Sequence, residues 1–291
     1  MMPALATLRR WGAALVPRSG RRLVIALGVT IMAVTILIGL FDIGQISRVA
    51  AARDLSLRLL PPGAHGHLLG TDGLGRDILA RLVLGARYTF GIAALATLIA
   101  ASIGIALGLL AVVGPGWFRT LVSRIVDLTI AFPSLVLAIV MVGMLGRGNL
   151  VLAMALGLFY WPTLARVTLA QGRGVEAQQY VTAARLFGVS RMRIVLFHIL
   201  PGIAPTVSVV IAFQFANLLI STAGLSFLGL GPPLGVPEWG AMLAEARAEL
   251  TRAPWLLLGP GLAVALTVIL ANLIGDELAS GTRAHRRSDL I

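Results

Sequence analysis

Residues 88–113 read YTFGIAALATLIAASIGIALGLLAVV, 26 positions without a single Asp, Glu, Arg, Lys or His. A helix crossing about 30 Å of hydrocarbon needs about 20 mostly apolar residues, because only intrahelical bonds can satisfy its backbone there. This stretch is long enough to cross a bilayer. Five more segments share its character: Leu23–Phe41, Leu128–Leu145, Leu150–Ala165, Thr206–Leu225 and Trp255–Gly275, all free of Asp, Glu and Arg. Their unequal lengths imply different tilts. The shortest, 150–165, completes a crossing only if Arg147 and Arg166 snorkel to the interfaces. The expectation is an all-α integral membrane protein with six transmembrane helices.

Composition points the same way. The chain of 291 residues is 58% hydrophobic and 12% charged, about half the charge of a typical soluble domain. Its net charge of +12 would suggest nucleic-acid binding in a soluble protein; in a membrane protein it is a topology signal, and no nucleic acid is expected. All 24 basic residues are Arg. Without Lys the phosphate loop GxxxxGK[ST] cannot be built, so no P-loop ATPase lies in this chain. Zero Cys excludes disulfides, thiolate metal sites and cysteine nucleophiles, and four scattered His do not assemble a metal cluster. The chain is therefore expected to be no enzyme and to carry no cofactor or metal.

Basic loops stay on the cytoplasmic side. With both termini cytoplasmic, 15 of the 24 arginines fall inside and nine outside, six of the nine in the segment 42–87. The first span exceeds a signal-peptide core and no small-x-small site follows it closely, so it reads as retained. The chain divides into a cytoplasmic N-terminal segment, 1–22, a six-helix membrane domain, 23–278, and a cytoplasmic tail, 279–291. In the first of these, Leu5, Leu8, Trp11 and Leu15 could form the apolar face of an interfacial helix. The glycines of Gly70-Thr-Asp-Gly-Leu-Gly-Arg-Asp77 read as a turn before a second interfacial helix, capped by Asp72, with Ile78, Leu79, Leu82 and Ala86 as its buried face.

The fourth and fifth spans are joined by EAQQYVTAARLFGVSRMRIVLFHILP, residues 176–201. The spacing predicts a helix to Phe187, a stop at Gly188 and a second helix from Val189-Ser-Arg191 to Leu200-Pro201. Small Ala183 and Ala184 permit close approach by another protein. Leu186, Phe187 and Val189 form an apolar knob ringed by Arg185, Arg191 and Arg193, as in a helix that docks in a partner's groove. A plain basic loop fits the same residues.

This stretch resembles the EAA motif of ABC importer permeases: EAA, three residues, G, nine residues, I-x-L-P. It is met at Ala183, Ala184, Gly188, Leu200 and Pro201, with Thr182 in place of the Glu and His198 in place of the Ile. Further motifs resemble the C-type permease subunits of bacterial dipeptide, oligopeptide and nickel importers. These are Gly70–Asp77 with Arg81 and Gly85-Ala-Arg87; Asp127 and Ala131-Phe-Pro133; Leu225-Ser-Phe-Leu-Gly-Leu-Gly231; Trp239-Gly-x-Met-Leu243; and Asn272-x-x-Gly-Asp276. The resemblance implies a type I ABC importer (MetI-like) permease fold in the bacterial cytoplasmic membrane. It implies a heterodimer with a homologous B-type permease, two ATPase subunits that bind ATP and Mg, and an extracytoplasmic peptide-binding protein. It assigns docking to residues 176–201, through Tyr180, Ala183, Ala184, Arg185, Leu186, Phe187, Gly188, Val189, Arg191, Leu200 and Pro201. Where this branch often has a Glu before Leu-Ser-Phe-Leu-Gly-Leu-Gly, this chain has Thr222.

In the fifth span Gln214, Asn217, Ser221 and Gly224 fall within about an 80° arc at 100° per residue. Such a stripe faces protein or water, as the wall of a translocation path or as interhelical hydrogen bonds. Gly104 and Gly108 form a GxxxG that packs helices. The expected function is ATP-driven peptide import. Nickel or another small solute is the alternative cargo, and a gradient-driven secondary transporter, which would want ionisable groups near the midplane, is the rival class.

Overall fold

A computed structural model describes residues 18–41, 44–233 and 235–288. The proposed interfacial helix in residues 4–16 lies outside these. Among the described residues the regular structure is helical, with one isolated bridge between Thr71 and Asp77. Helix α1 spans Arg18–Leu40 and α2 Gln45–Ala51. Four later helices are long and apolar enough to cross a membrane: α3 (Ile78–Val113), α6 (Asn149–Glu176), α8 (Arg191–Phe227), and α10 (Leu258–Ser288) with the turn before it. Helix α4 (Gly116–Ala131) and α5 (Ser134–Leu145) form a fifth crossing only as a pair bent by 82°. Helix α7 (Gln179–Leu186) and α9 (Trp239–Ala246) are short.

The described residues thus give four crossings, or five with the bent pair, where six were expected. The expected first span, Leu23–Phe41, lies on the 23-residue helix α1, of which Ile25–Thr35 is the apolar stretch with described side chains. The expected span 128–145 is broken because Pro133 has no N–H and drives Phe132 into extended backbone, φ −98° and ψ 138°. The expected span 150–165 continues to Glu176, since Arg166 and the polar residues after it are compatible with helix.

The glycine turn also differs from expectation. No separate interfacial helix follows it: α3 runs unbroken for 36 residues, about 54 Å at 1.5 Å per residue, from Ile78 to Val113. Its cap is Asp77, which accepts the Ala80 N–H at 2.7 Å. Asp72 instead faces two arginines.

Helices α3 and α6 pack through small residues. A Cβ on Gly104 would lie 2.7 Å from the Trp161 carbonyl oxygen, one on Gly108 2.6 Å from Thr168 Cβ, and one on Gly157 2.7 Å from Ile99 Cβ. Lipid supplies no hydrophobic drive between helices, so this close backbone approach supplies the dispersion contacts that hold the pair. The expected packing role of Gly104 and Gly108 follows. Around the seam, Ile92, Ala96, Leu152 and Leu156 are buried with Ala138 and Val142 of α5 and Leu218 and Leu225 of α8.

Candidate functional site

At the Val113 end of α3 the chain forms a compact helix-turn-helix from α7 and the first turns of α8. Gly188 takes φ +78°, a left-handed conformation open to glycine at no steric cost. The Val189 N–H then donates to the Ala184 carbonyl at 3.1 Å and the Gly188 N–H to the Arg185 carbonyl at 3.0 Å. These two bonds are a Schellman closure of α7, and Ser190 leads into α8. Val181 and Ile194 are buried beneath, with Val189 and Leu200 packed on the same cluster as Leu109, Val112 and Ile199. Leu186 and Phe187, by contrast, are 84% and 88% exposed. The turn presents an apolar tip on a well-packed base.

The other loop residues are divided among distinct tasks. Arg185 pairs with Glu176 at 2.8 Å, and Arg191 donates to the Val113 carbonyl at 3.2 Å, tying the loop to the end of α3. Tyr180 stacks on His198. Ala183 and Ala184 are half-buried, and Pro201 is exposed. One expectation fails: the second helix does not end at Leu200-Pro201. A π turn at Val195–Ile199, in which the Leu200 N–H reaches the Val195 carbonyl, carries the helix on without a break. Pro201 sits in the first turn of the next helical segment, where its missing N–H is tolerated. The second helix of the helix-turn-helix is therefore the first part of α8.

Further along α8 the polar stripe divides. Gln214 is buried and donates to the Tyr160 carbonyl at 3.2 Å, and the Ser221 and Tyr160 hydroxyls meet at 2.8 Å. Asn217 and Gly224 are exposed, and a Cβ on Gly224 would meet nothing within 4 Å. Half of the stripe thus bonds α6, and half faces out of the chain. Tyr160 escaped the sequence reading although a hydroxyl in an apolar span was visible.

At the opposite end of α3 lies an ionic cluster that the sequence reading also missed, because its members sit in two distant motifs. Arg76 Nε donates to Asp72 at 2.7 Å, Arg76 and Arg81 reach Glu245 at 2.8 and 2.7 Å, and Arg81 also bonds Asp72. Burial alone would raise the Asp72 pKa, but the Arg76 and Leu74 backbone N–H groups and the Arg81 and Arg76 guanidiniums hold it below the usual carboxylate value. Nearby, Glu238 is fully buried and caps α9 by accepting from Ala241 N–H at 2.9 Å, with Thr89 Oγ1 donating at 3.0 Å. Burial pushes its pKa up against those bonds. Among the described residues no three His, Cys, Asp or Glu are placed to hold a metal.

Residues 100–280 match the family model described as binding-protein-dependent transport system inner membrane component. The glutathione transport system permease protein GsiD of Escherichia coli (strain 536) is 42% identical over 212 residues, 73% of this chain and 70% of that protein. GsiD of Pectobacterium atrosepticum is 38% identical over 221 residues, 76% and 73% of the two chains. Among solved structures, inward-facing conformations of the MetNI methionine ABC transporter align with a TM-score of 0.58 at 20% identity, covering 70% of this chain and 97% of that one. At that identity the likeness speaks to fold alone, and it agrees with a MetI-like helical arrangement.

Proposed function

This chain belongs to the family of binding-protein-dependent transport system inner membrane components, and on that premise we propose that its cargo is short peptides, with glutathione the first candidate. It is an integral inner-membrane permease subunit of an ABC importer. Glutathione enters because the GsiD relatives carry that activity in their names.

The hydrolysis belongs to partner ATPases, which bind ATP and Mg and grip residues 176–201. A homologous permease completes the path, a peptide-binding protein delivers the cargo, and both termini lie in the cytoplasm. The observation that carries the docking proposal is the tip itself: Leu186 and Phe187 are almost fully exposed on a turn locked by Gly188. An apolar pair presented on a rigid base fits a helix-in-groove contact. Because α8 is continuous from Arg191 to Phe227, a push on the turn is carried along one helix to Asn217 and Ser221. Closure of the ATPases would rock this element and switch the exposed face of α8 between the two sides of the membrane. Side chains such as Asn217 and Ser221 offer passing peptide groups hydrogen bonds; no covalent chemistry is required of them.

The test is uptake of labelled glutathione into proteoliposomes holding the complete transporter with its binding protein. ATP-dependent accumulation is expected, and none from this chain alone. A reconstituted, assembled complex that hydrolyses ATP but accumulates no glutathione or other short peptide would refute the cargo assignment.

A further inference from the structure

Asp127 on α4 and Arg166 on α6 stand among apolar helix faces, yet both are open: Arg166 Nη2 donates to Asp127 Oδ1 at 2.6 Å, with side chains 59% and 54% exposed for Asp127 and Arg166. Their depth follows from helix packing. Gly104 of α3 lies against Trp161, Leu164 and Ala165, and Gly108 lies against Ala165 and Thr168. Arg166 is therefore level with that part of α3, roughly 10 Å inside its Val113 end at 1.5 Å per residue. Around Asp127, Ile125, Leu128 and Ile130 are exposed apolar side chains suited to lipid or a partner helix.

A charged pair at this depth is costly against acyl chains, so it faces protein or water. An ion pair open to water is worth about 0–1 kcal/mol, so Asp127 and Arg166 can part at little cost. Helix α6 supplies the remaining clue. Tyr160, which meets Ser221 of α8, exposed Thr163 and Arg166 succeed one another at three-residue steps, a polar track descending from the stripe of α8 to the pair.

We propose that Asp127 and Arg166 are a selectivity station for zwitterionic solutes on the translocation path, Asp127 receiving the ammonium and Arg166 a carboxylate of the peptide. The station rests on the peptide-permease reading above and adds the chemistry the path selects. Because the two residues hold each other only weakly, the incoming solute can exchange partners with them at little cost, and the pair closes again behind it.

The experiment compares glutathione, N-acetylglutathione and glutathione amidated at both carboxylates, in proteoliposomes holding the complete transporter. Asp127→Asn should raise the apparent KM for glutathione at least tenfold while leaving that for the N-acetyl form within about twofold. Arg166→Gln should do the same relative to the amide. Both variants should co-purify with the other subunits as the wild type does. Equal effects on free and blocked forms, or loss of subunit association with unchanged selectivity in whatever complex assembles, would overturn the station. If the assembled wild-type complex took up none of the three, the peptide reading itself would fall, a result distinct from uptake without discrimination.

Discussion

The rings of Tyr180 and His198 stack with centroids 6.1 Å apart and planes inclined by 23°, joining α7 to the first turns of α8 across Gly188. His198 occupies the place where the EAA pattern has Ile, and Tyr180 explains how it is accommodated. Such ring pairs contribute about 0.5–1.5 kcal/mol beyond area burial. Tyr180→Ala and His198→Ala should therefore be non-additive: the double variant should lose less stability than the two single losses combined, by about that amount. Thermal unfolding of the detergent-solubilised chain measures the cycle, and strict additivity would deny the contact.

Asp72→Asn is expected to cost about 3–5 kcal/mol, because it leaves the buried guanidiniums of Arg76 and Arg81 short of a countercharge. The pH dependence follows from the depressed native pKa of Asp72. Its stabilisation is present above the unfolded carboxylate pKa of about 3.9 and is lost as pH falls through the lower native value. Unfolding midpoints should drop on acidification below about pH 4 in the wild type and less steeply in the variant.

Glu238 has the opposite sign. Its native pKa is raised, so its contribution is most favourable below the unfolded value of about 4.3 and declines as pH rises through the native one. Glu238→Gln should flatten the fall in unfolding midpoint as pH rises above about 4.3. A variant with the wild-type slope would remove Glu238 as its source.

Asn217→Leu should preserve assembly and abolish uptake if the exposed half of the α8 stripe is wet. Tyr160→Phe removes the hydroxyl that meets Ser221 and should leave assembly intact while reducing uptake severalfold. Co-purification and proteoliposome uptake separate the two effects. Lost subunit association with transport otherwise intact would return the stripe to packing.

Much of this was legible in the residues because single positions carry it. Gly188 marks the turn through its backbone freedom, and Gly104 and Gly108 mark the α3–α6 seam through their lack of a side chain. The helix ends were less legible. Arg166 reads as a boundary because charge is costly in lipid, but an exposed charge facing Asp127 is compatible with a helix that continues. Leu200-Pro201 reads as a stop because proline lacks a donor, but the π turn before it rearranges the bonds that proline would break. Asp72 reads as a cap because it precedes a helix; its arginine partners and the Glu245 that shares them lie on another turn or far along the chain, beyond what local pattern reports. The helix closing the chain was expected to end its span at Gly275, yet α10 runs to Ser288, since apolar pattern marks the lipid boundary rather than the helix end.

The most direct measurement is glutathione-stimulated ATP hydrolysis, recorded with glutathione uptake and ATPase co-purification, in the complete transporter carrying Gly188→Val. The backbone at 188 is left-handed, φ +78°, with nothing within 4 Å of an added Cβ. The substitution therefore acts through conformation, at a cost of roughly 1–2 kcal/mol, and by placing a branched side chain beside the Leu186–Phe187 tip. The α3–α6 core should stay intact, and Gly188→Asn, which tolerates this conformation better, should be milder. The account predicts that Gly188→Val loosens the ATPases or leaves hydrolysis running without uptake. Wild-type values for hydrolysis, uptake and co-purification together would contradict the coupling role of residues 176–201.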